Sequence, residues 1–262
     1  MLVQYQNLTA QLLQNPPAPT TLYTTANLTN YINIARGQIA GEGKCVRAIG
    51  TVAAVIGQRA YNFSTINFGA VTTTGIQGAI SVRRIMYNVP GATGQKWIKG
   101  KSWEWFDFQR FNNPVPPSGA PTEWAQFSQG SSGQGSITGV GGGTMSSGSF
   151  YVDPLPDFTY TLNCDCECYP QALAADIDVE ALPYLWTDAV PYFAAYMALM
   201  TAQTSARLQQ AQQLFQLYRL FMQRARAFAN PDVTTDNFEQ APDMMTPGRL
   251  GVTASGAGGG AQ

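Results

Sequence analysis

The stretch from Leu208 to Phe228 constrains this chain more than any other. Leu208, Ala211, Leu214, Phe215, Tyr218, Phe221, Met222, Ala225 and Phe228 recur at the three- and four-residue spacing of one helical face. The other face reads Gln209, Gln212, Gln216, Arg219, Gln223 and Arg226. A helix this long must lay its apolar stripe on other helices, so this end of the chain predicts a helical layer. Thr204-Ser205 offers an N-cap, and Asn230-Pro231 stops the run. A solvated helix face would normally carry Glu–Lys pairs. Amides and arginines stand here instead, and an amide costs less to desolvate than an ion.

Two more helices are predicted. One starts near Thr187 or Asp188, with Pro191 in its first turn. The other spans 27–40, where Leu28, Tyr31, Ile32, Ala35 and Ile39 share a face and Gly41-Glu42-Gly43 follows. Between them the texture is that of strands. The segments 46–52, 61–68, 79–87, 123–129, 150–152 and 158–168 are rich in β-branched and aromatic residues. Residues 129–149 are Gly/Ser-rich and read as a loop. The expectation is an α+β fold: a helical bundle from one N-terminal and two C-terminal helices, with an inserted antiparallel β-rich domain. Its predicted parts are an extended arm (1–22, with Pro16, Pro17 and Pro19), a helical domain (23–43 and 182–230), a β-rich domain (44–181) and a C-terminal tail (231–262).

Charge narrows the function classes. Only 12% of residues are charged, about half the usual share, while 45% are hydrophobic. The charges are also segregated. Ten Lys/Arg lie from Arg36 to Arg110 against three acids, Glu42, Glu104 and Asp107. Nine acids and no base follow between Arg110 and Arg207. Either these segments neutralise each other inside one subunit, or they meet between copies. No run reaches the roughly 18 apolar residues of a membrane span. The start lacks the basic region of a signal peptide.

Catalytic constellations are hard to build from these residues. Histidine is absent, which removes Ser-His-Asp, Cys-His and most hydrolytic metal sites. Cys164, Cys166 and Cys168 alternate, so a strand puts all three sulfurs on one face. With Cys45 they would make four thiolates, but zinc sites favour C-x2–4-C turns, and burial as small side chains outweighs a metal site. Asp176, Asp178 and Glu180 share a face if extended, where they would gather a cation or guard a strand edge. Trp97, Trp103 and Trp105, with Lys96, Lys99 and Lys101 among them, read as core or interface anchors, or as a stacking platform for sugars or bases. Gly139 to Gly143 does not join a strand to a helix and makes a poor phosphate loop. The residues thus predict a structural protein with no enzyme activity and no cofactor.

The run Tyr31 to Arg47 (YINIARGQIAGEGKCVR) and the run Pro183 to Arg226, with Tyr192-Phe193-Ala194-Ala195-Tyr196 and the Gln/Arg helix, resemble head-to-tail adaptor proteins of short-tailed bacteriophages. The resemblance covers about half the chain. It implies a virion protein made in the host cytoplasm and placed at the portal–tail junction. It implies a ring of copies, dodecameric, between portal protein and tail tube or nozzle, with passing DNA touched weakly. Arg207, Arg219, Arg224 and Arg226 are then candidate channel or interface residues, and Trp97, Trp103 and Trp105 candidate interface anchors. A tail-tube or collar protein, and a glycan-binding β-module of a tail fibre, remain the alternatives.

Overall fold

The computed structural model describes residues 1–14, 22–88, 94–112, 117–128, 148–201 and 205–229. The chain opens with α1 (Leu2–Leu12) and α2 (Thr25–Gly43). Then come β1 (Arg47–Ala53), β2 (Ala60–Asn62), the single turn α3 (Val71–Thr74), β3 (Ile76–Asn88) and β4 (Gln95–Gly100). Next are α4 (Trp103–Asn112), β5 (Ser118–Gly119), β6 (Glu123–Ser128), β7 (Ser149–Asp153), β8 (Leu155–Pro156) and β9 (Thr161–Pro170). The single turn α5 (Tyr184–Thr187), α6 (Ala189–Met200) and α7 (Ser205–Ala229) follow, the last elements among the described residues. The class is α+β as expected, with N-terminal and C-terminal helices packed together beside a seven-stranded sheet.

The helical layer forms around α6. Val190, Ala194, Ala195, Ala198 and Leu199 are buried there, because α1, α2 and α7 all pack against it. Small alanines let those helices approach closely. Thr24 caps α2, its Oγ1 accepting from Asn27 N at 3.2 Å. Leu28, Ile32, Ala35 and Ile39 turn inward as their spacing predicts. The stripe of α7 is buried from Ala211 to Ala225, but its ends, Leu208 and Phe228, are exposed. Length explains this: 12 residues of α6 run about 18 Å and 25 residues of α7 about 37 Å. The longer helix overhangs its partner.

Three stretches differ from expectation. The first half of the presumed arm is α1, with Leu2, Tyr5 and Thr9 buried on one face. Its stripe is faint in sequence because it includes a threonine, while the apolar Val3 and Leu8 stand exposed outside it. The Pro cluster of that arm, the Gly/Ser-rich residues 129–147 and the tail 231–262 lie outside the described residues. The aromatic segment inside the β-rich region forms α4, started by Ser102, whose Oγ accepts from Trp105 N. Aromatic residues favour strands, yet here Phe106 is buried and α4 lies against β6. The stretch 61–68 also yields only β2 and a 3-10 turn over Phe63–Thr65, with Phe63 and Ile66 inward.

The sheet runs β1-β9-β3-β4-β6-β7-β2. Its pairs are antiparallel except β4 with β6. It curls, and a bridge between Thr51 and Asn67 brings the chain after β2 back to β1. Gly50 permits this closure, since a Cβ there would lie 2.3 Å from Ile66 Cγ2. On β9 the alternation holds: Leu162, Cys164, Cys166 and Cys168 are fully buried on the inner face. Cys166 Sγ donates to Cys164 O at 3.5 Å, and Cys168 Sγ to Cys166 O at 3.7 Å.

A buried ion pair joins the layers. Arg36, 1% exposed, lies on the inner face of α2. Its Nη2 meets Glu180 Oε1 at 2.7 Å, and its Nε meets Oε2 at 2.9 Å. Nη1 donates to Asn33 Oδ1 and to the Gln171 carbonyl. Asn33 in turn holds the backbone of Leu173 through both its amide groups. Burial and the nearby Glu180 carboxylate push the Tyr5 phenol up. The segment 171–182, which links the sheet to the C-terminal helices, is thereby clamped to α2.

Two predictions follow from this packing. Glu180→Gln leaves Arg36 buried without its counter-charge and lowers stability by about 3–5 kcal/mol, read from urea unfolding. Burial raises the Cys45, Cys164 and Cys168 thiols from 9.0 up to about 12. They should resist a disulfide reagent at pH 8 until the protein is unfolded. Because the folded values are the raised ones, their contribution is complete below about pH 9 and is lost as pH climbs towards 12.

Candidate interface surfaces

The segregated charges are largely consumed inside the subunit. Among the described residues, six of the seven ion pairs join the basic segment to the acidic one: Arg36–Glu180, Lys44–Glu167, Arg47–Asp165, Arg59–Asp153, Arg83–Glu167 and Lys101–Glu123. The three carboxylates of the acidic run do not share a face, since that run is a loop and not a strand. Asp176 accepts from Val3 N and from the N-terminal ammonium, which hold its carboxyl below the usual range. Asp178 accepts from the backbone of Ala174 and Ala175 and is likewise lowered. Glu180 belongs to Arg36. This arrangement matches internal neutralisation, which sequence alone leaves level with contact between copies.

The four arginines of α7 take separate positions. Arg219 is exposed, among Gln212, Gln216 and Gln223, which are exposed too. Arg226 lies seven residues on, nearly two turns and thus on the same side. It donates to the Glu42 carbonyl at 2.9 Å. Arg224 sits over the Phe228 ring at 5.9 Å. Arg207 is half-buried. The joint between α7 and the end of α2 is strengthened by Tyr218, whose Oη donates to Glu42 Oε2 at 2.9 Å.

The three tryptophans also separate. Trp103 and Trp105 both belong to α4, where they contact Phe106. Trp103 further meets Phe127 and Tyr151, with ring centres 4.5 and 4.9 Å apart. Trp105 carries Lys101 over its ring at 4.5 Å. Trp97 stands on β4, 59% exposed, paired across the sheet with Met86 and covered on one side by Arg84. They do not form one stacking platform.

Two grooves were not foreseen. The first, about 750 Å³, lies between α1 and the C-terminal helices. Leu8, Leu12, Tyr184, Tyr192 and Phe221 give it an apolar wall. Beside it α7 exposes Leu217, Leu220 and Phe228. The second, about 920 Å³, lies where the ends of α2 and α7 meet the sheet. Lys44, Arg47, Arg83 and Arg226 line it, with Glu167 as the lining acid. Gly43 is on its rim, and a Cβ there would meet the Trp186 ring at 2.5 Å. These residues come from four or five elements, so no local spacing could announce them.

The tryptophans yield a paired prediction. Trp103→Ala should cost about 3 kcal/mol in chemical denaturation, because its ring partners are left facing a cavity. Trp97→Ala should change stability by no more than about 0.5 kcal/mol, because its ring is mostly in solvent.

Comparison with known proteins matches residues 4–237 to the family model described as SU10 adaptor protein. That span contains every element from α2 to α7 and most of α1. No curated protein matches the chain at a significant level.

Proposed function

On the premise that this chain belongs to the SU10 adaptor protein family, and is therefore a structural head–tail adaptor of a phage virion and not an enzyme, we propose that its copies close into a ring between portal and tail. The observation that carries the ring reading is the apolar surface on the helical layer. Leu217, Leu220 and Phe228 are 41%, 59% and 70% exposed beside the groove of Leu8, Tyr184 and Phe221. Large apolar side chains left in solvent next to an apolar groove mark an interaction site on a folded protein. With most acids matched internally, a neighbour meets apolar and amide groups there, which are inexpensive to bury. A repeated head-to-tail contact of one patch with another closes into a ring when the rotation allows, and a dodecamer is the ring we propose.

In this ring the Gln212, Gln216, Arg219 and Gln223 side of α7 lines the DNA passage. Amides and sparse arginines, Arg219 with Arg226 tied to the Glu42 carbonyl at the end of the same side, touch phosphates weakly and without reading sequence, which lets DNA slide past. No helix among the described residues is long and apolar enough to cross a membrane.

Light scattering and electron microscopy with portal protein should show rings for the native chain. Leu217→Lys with Leu220→Lys should leave folded monomers. Stable monomers of the native chain, even with portal present, would overturn the ring. Arg219→Glu should assemble normally and impair genome ejection from the particle; unchanged ejection would remove Arg219 from the passage. Copy counting in purified particles separates the readings, since about twelve per particle fit the adaptor ring and about six a tail-tube part.

A further inference from the structure

The basic groove has a surplus of cations that the described residues do not match. Arg47 is paired with Asp165 at 2.6 Å. Lys44 and Arg83 share one carboxylate, Glu167, at the long distances of 3.7 and 3.8 Å. Glu167 is itself nearly buried and also accepts from Ser81 Oγ at 2.8 Å. Arg226 donates to a neutral carbonyl. The Glu42 carboxylate behind it is already engaged by Tyr218 Oη and Gln38 Nε2. Lys44, Arg83 and Arg226 therefore face a single acid. Ser81 and Gln126 add neutral polar groups, and Pro183, Leu185 and Trp186 form an apolar stretch of the wall, with Leu185 46% exposed.

The chain supplies a matching segment at the mouth of this groove. Ala229, the last residue of α7, lines it. The next residues read Pro231-Asp232-Val233-Thr234-Thr235-Asp236-Asn237-Phe238-Glu239-Gln240-Ala241-Pro242-Asp243. They hold four acids and no base, the reverse of the groove. Pro231 prevents α7 from continuing through this point. From Ala229 to Asp236 an extended chain reaches up to about 23 Å, ample for a groove that begins at Ala229. Phe238, between Asp236 and Glu239, supplies an apolar side chain of the kind the stretch at Leu185 would take. The family match also runs past the end of α7, to residue 237.

We propose that Asp232–Asp243 docks in the groove of its own subunit, with Asp236 and Glu239 against Lys44, Arg83 and Arg226. The segment then ties the end of α7 to the sheet. This goes beyond the ring reading and does not depend on it. Attraction of this kind weakens as salt screens it.

Zero-length carbodiimide coupling tests this on the full chain at low salt. The coupling condenses a carboxylate with the Lys44 amine, losing water to the activating reagent and forming an amide bond. Peptide mapping should find Lys44 joined to Asp236 or Glu239 within single chains. The product should be lost at high salt and after Asp236→Asn with Glu239→Gln. Hydrogen exchange at Lys44 to Arg47 should be faster in that variant. Arg83→Glu with Arg226→Glu should free the segment in the same way, and adding Asp236→Lys with Glu239→Lys should restore slow exchange. Absence of the coupling product together with identical exchange in native and variant chains would overturn the proposal. So would coupling found only between chains, which would place the segment on a neighbour. Ring formation is read separately by mass, so either reading can fail alone.

Discussion

The buried contact between Arg36 and Glu180 is the constraint on which the rest of this structure hangs. A guanidinium 1% exposed on the inner face of a helix costs several kcal/mol unless its donors are satisfied. Here Glu180, Asn33 and the Gln171 carbonyl satisfy them. All of those partners except Asn33 lie on the segment between β9 and α5. That segment must therefore follow α2, and it delivers the C-terminal helices to the same side of the sheet. The Asn33 bonds to Leu173 hold it in register.

The same preference for internal pairing shapes the surface. Once basic and acidic segments are matched inside the subunit, few strong charges remain to steer association. What α7 offers outward is amides, arginines and an apolar strip. A virion adaptor gains from such a surface. Its contacts are made once and kept, so burying uncharged groups favours permanence. Where cations do gather in excess, at the end of α7, an acidic stretch of the same chain follows at once.

Much of the fold was legible because it rests on periodicity. The stripe of α2, the α7 stripe between its exposed ends and the alternation of Cys164, Cys166 and Cys168 hold, since each reports a local spacing of apolar side chains. The helix α1 was not legible, because a stripe of Leu2, Tyr5 and Thr9 is too short and too polar to stand out. Nor was α4, whose aromatic residues favour a strand until packing on β6 decides otherwise. Trp97, Trp103 and Trp105 lie close in sequence, yet the turn between β4 and α4 sends them to different surfaces. The arginines of α7 share one helix, but helical rotation sets them apart, with Arg226 on the Glu42 carbonyl and Arg224 over the Phe228 ring.

By itself the sequence determined the layered α+β composition, the lack of histidine chemistry and the amide-and-arginine outer face of the last helix, which carries no acid. These follow from residue type and spacing, which need no distant partner. Tertiary structure decided where the charges go. Whether Arg36 meets Glu180 within the chain or in another copy depends on residues 144 apart being brought within 3 Å. No local pattern encodes such a meeting; only the closure of helix, sheet and linker around a shared core does.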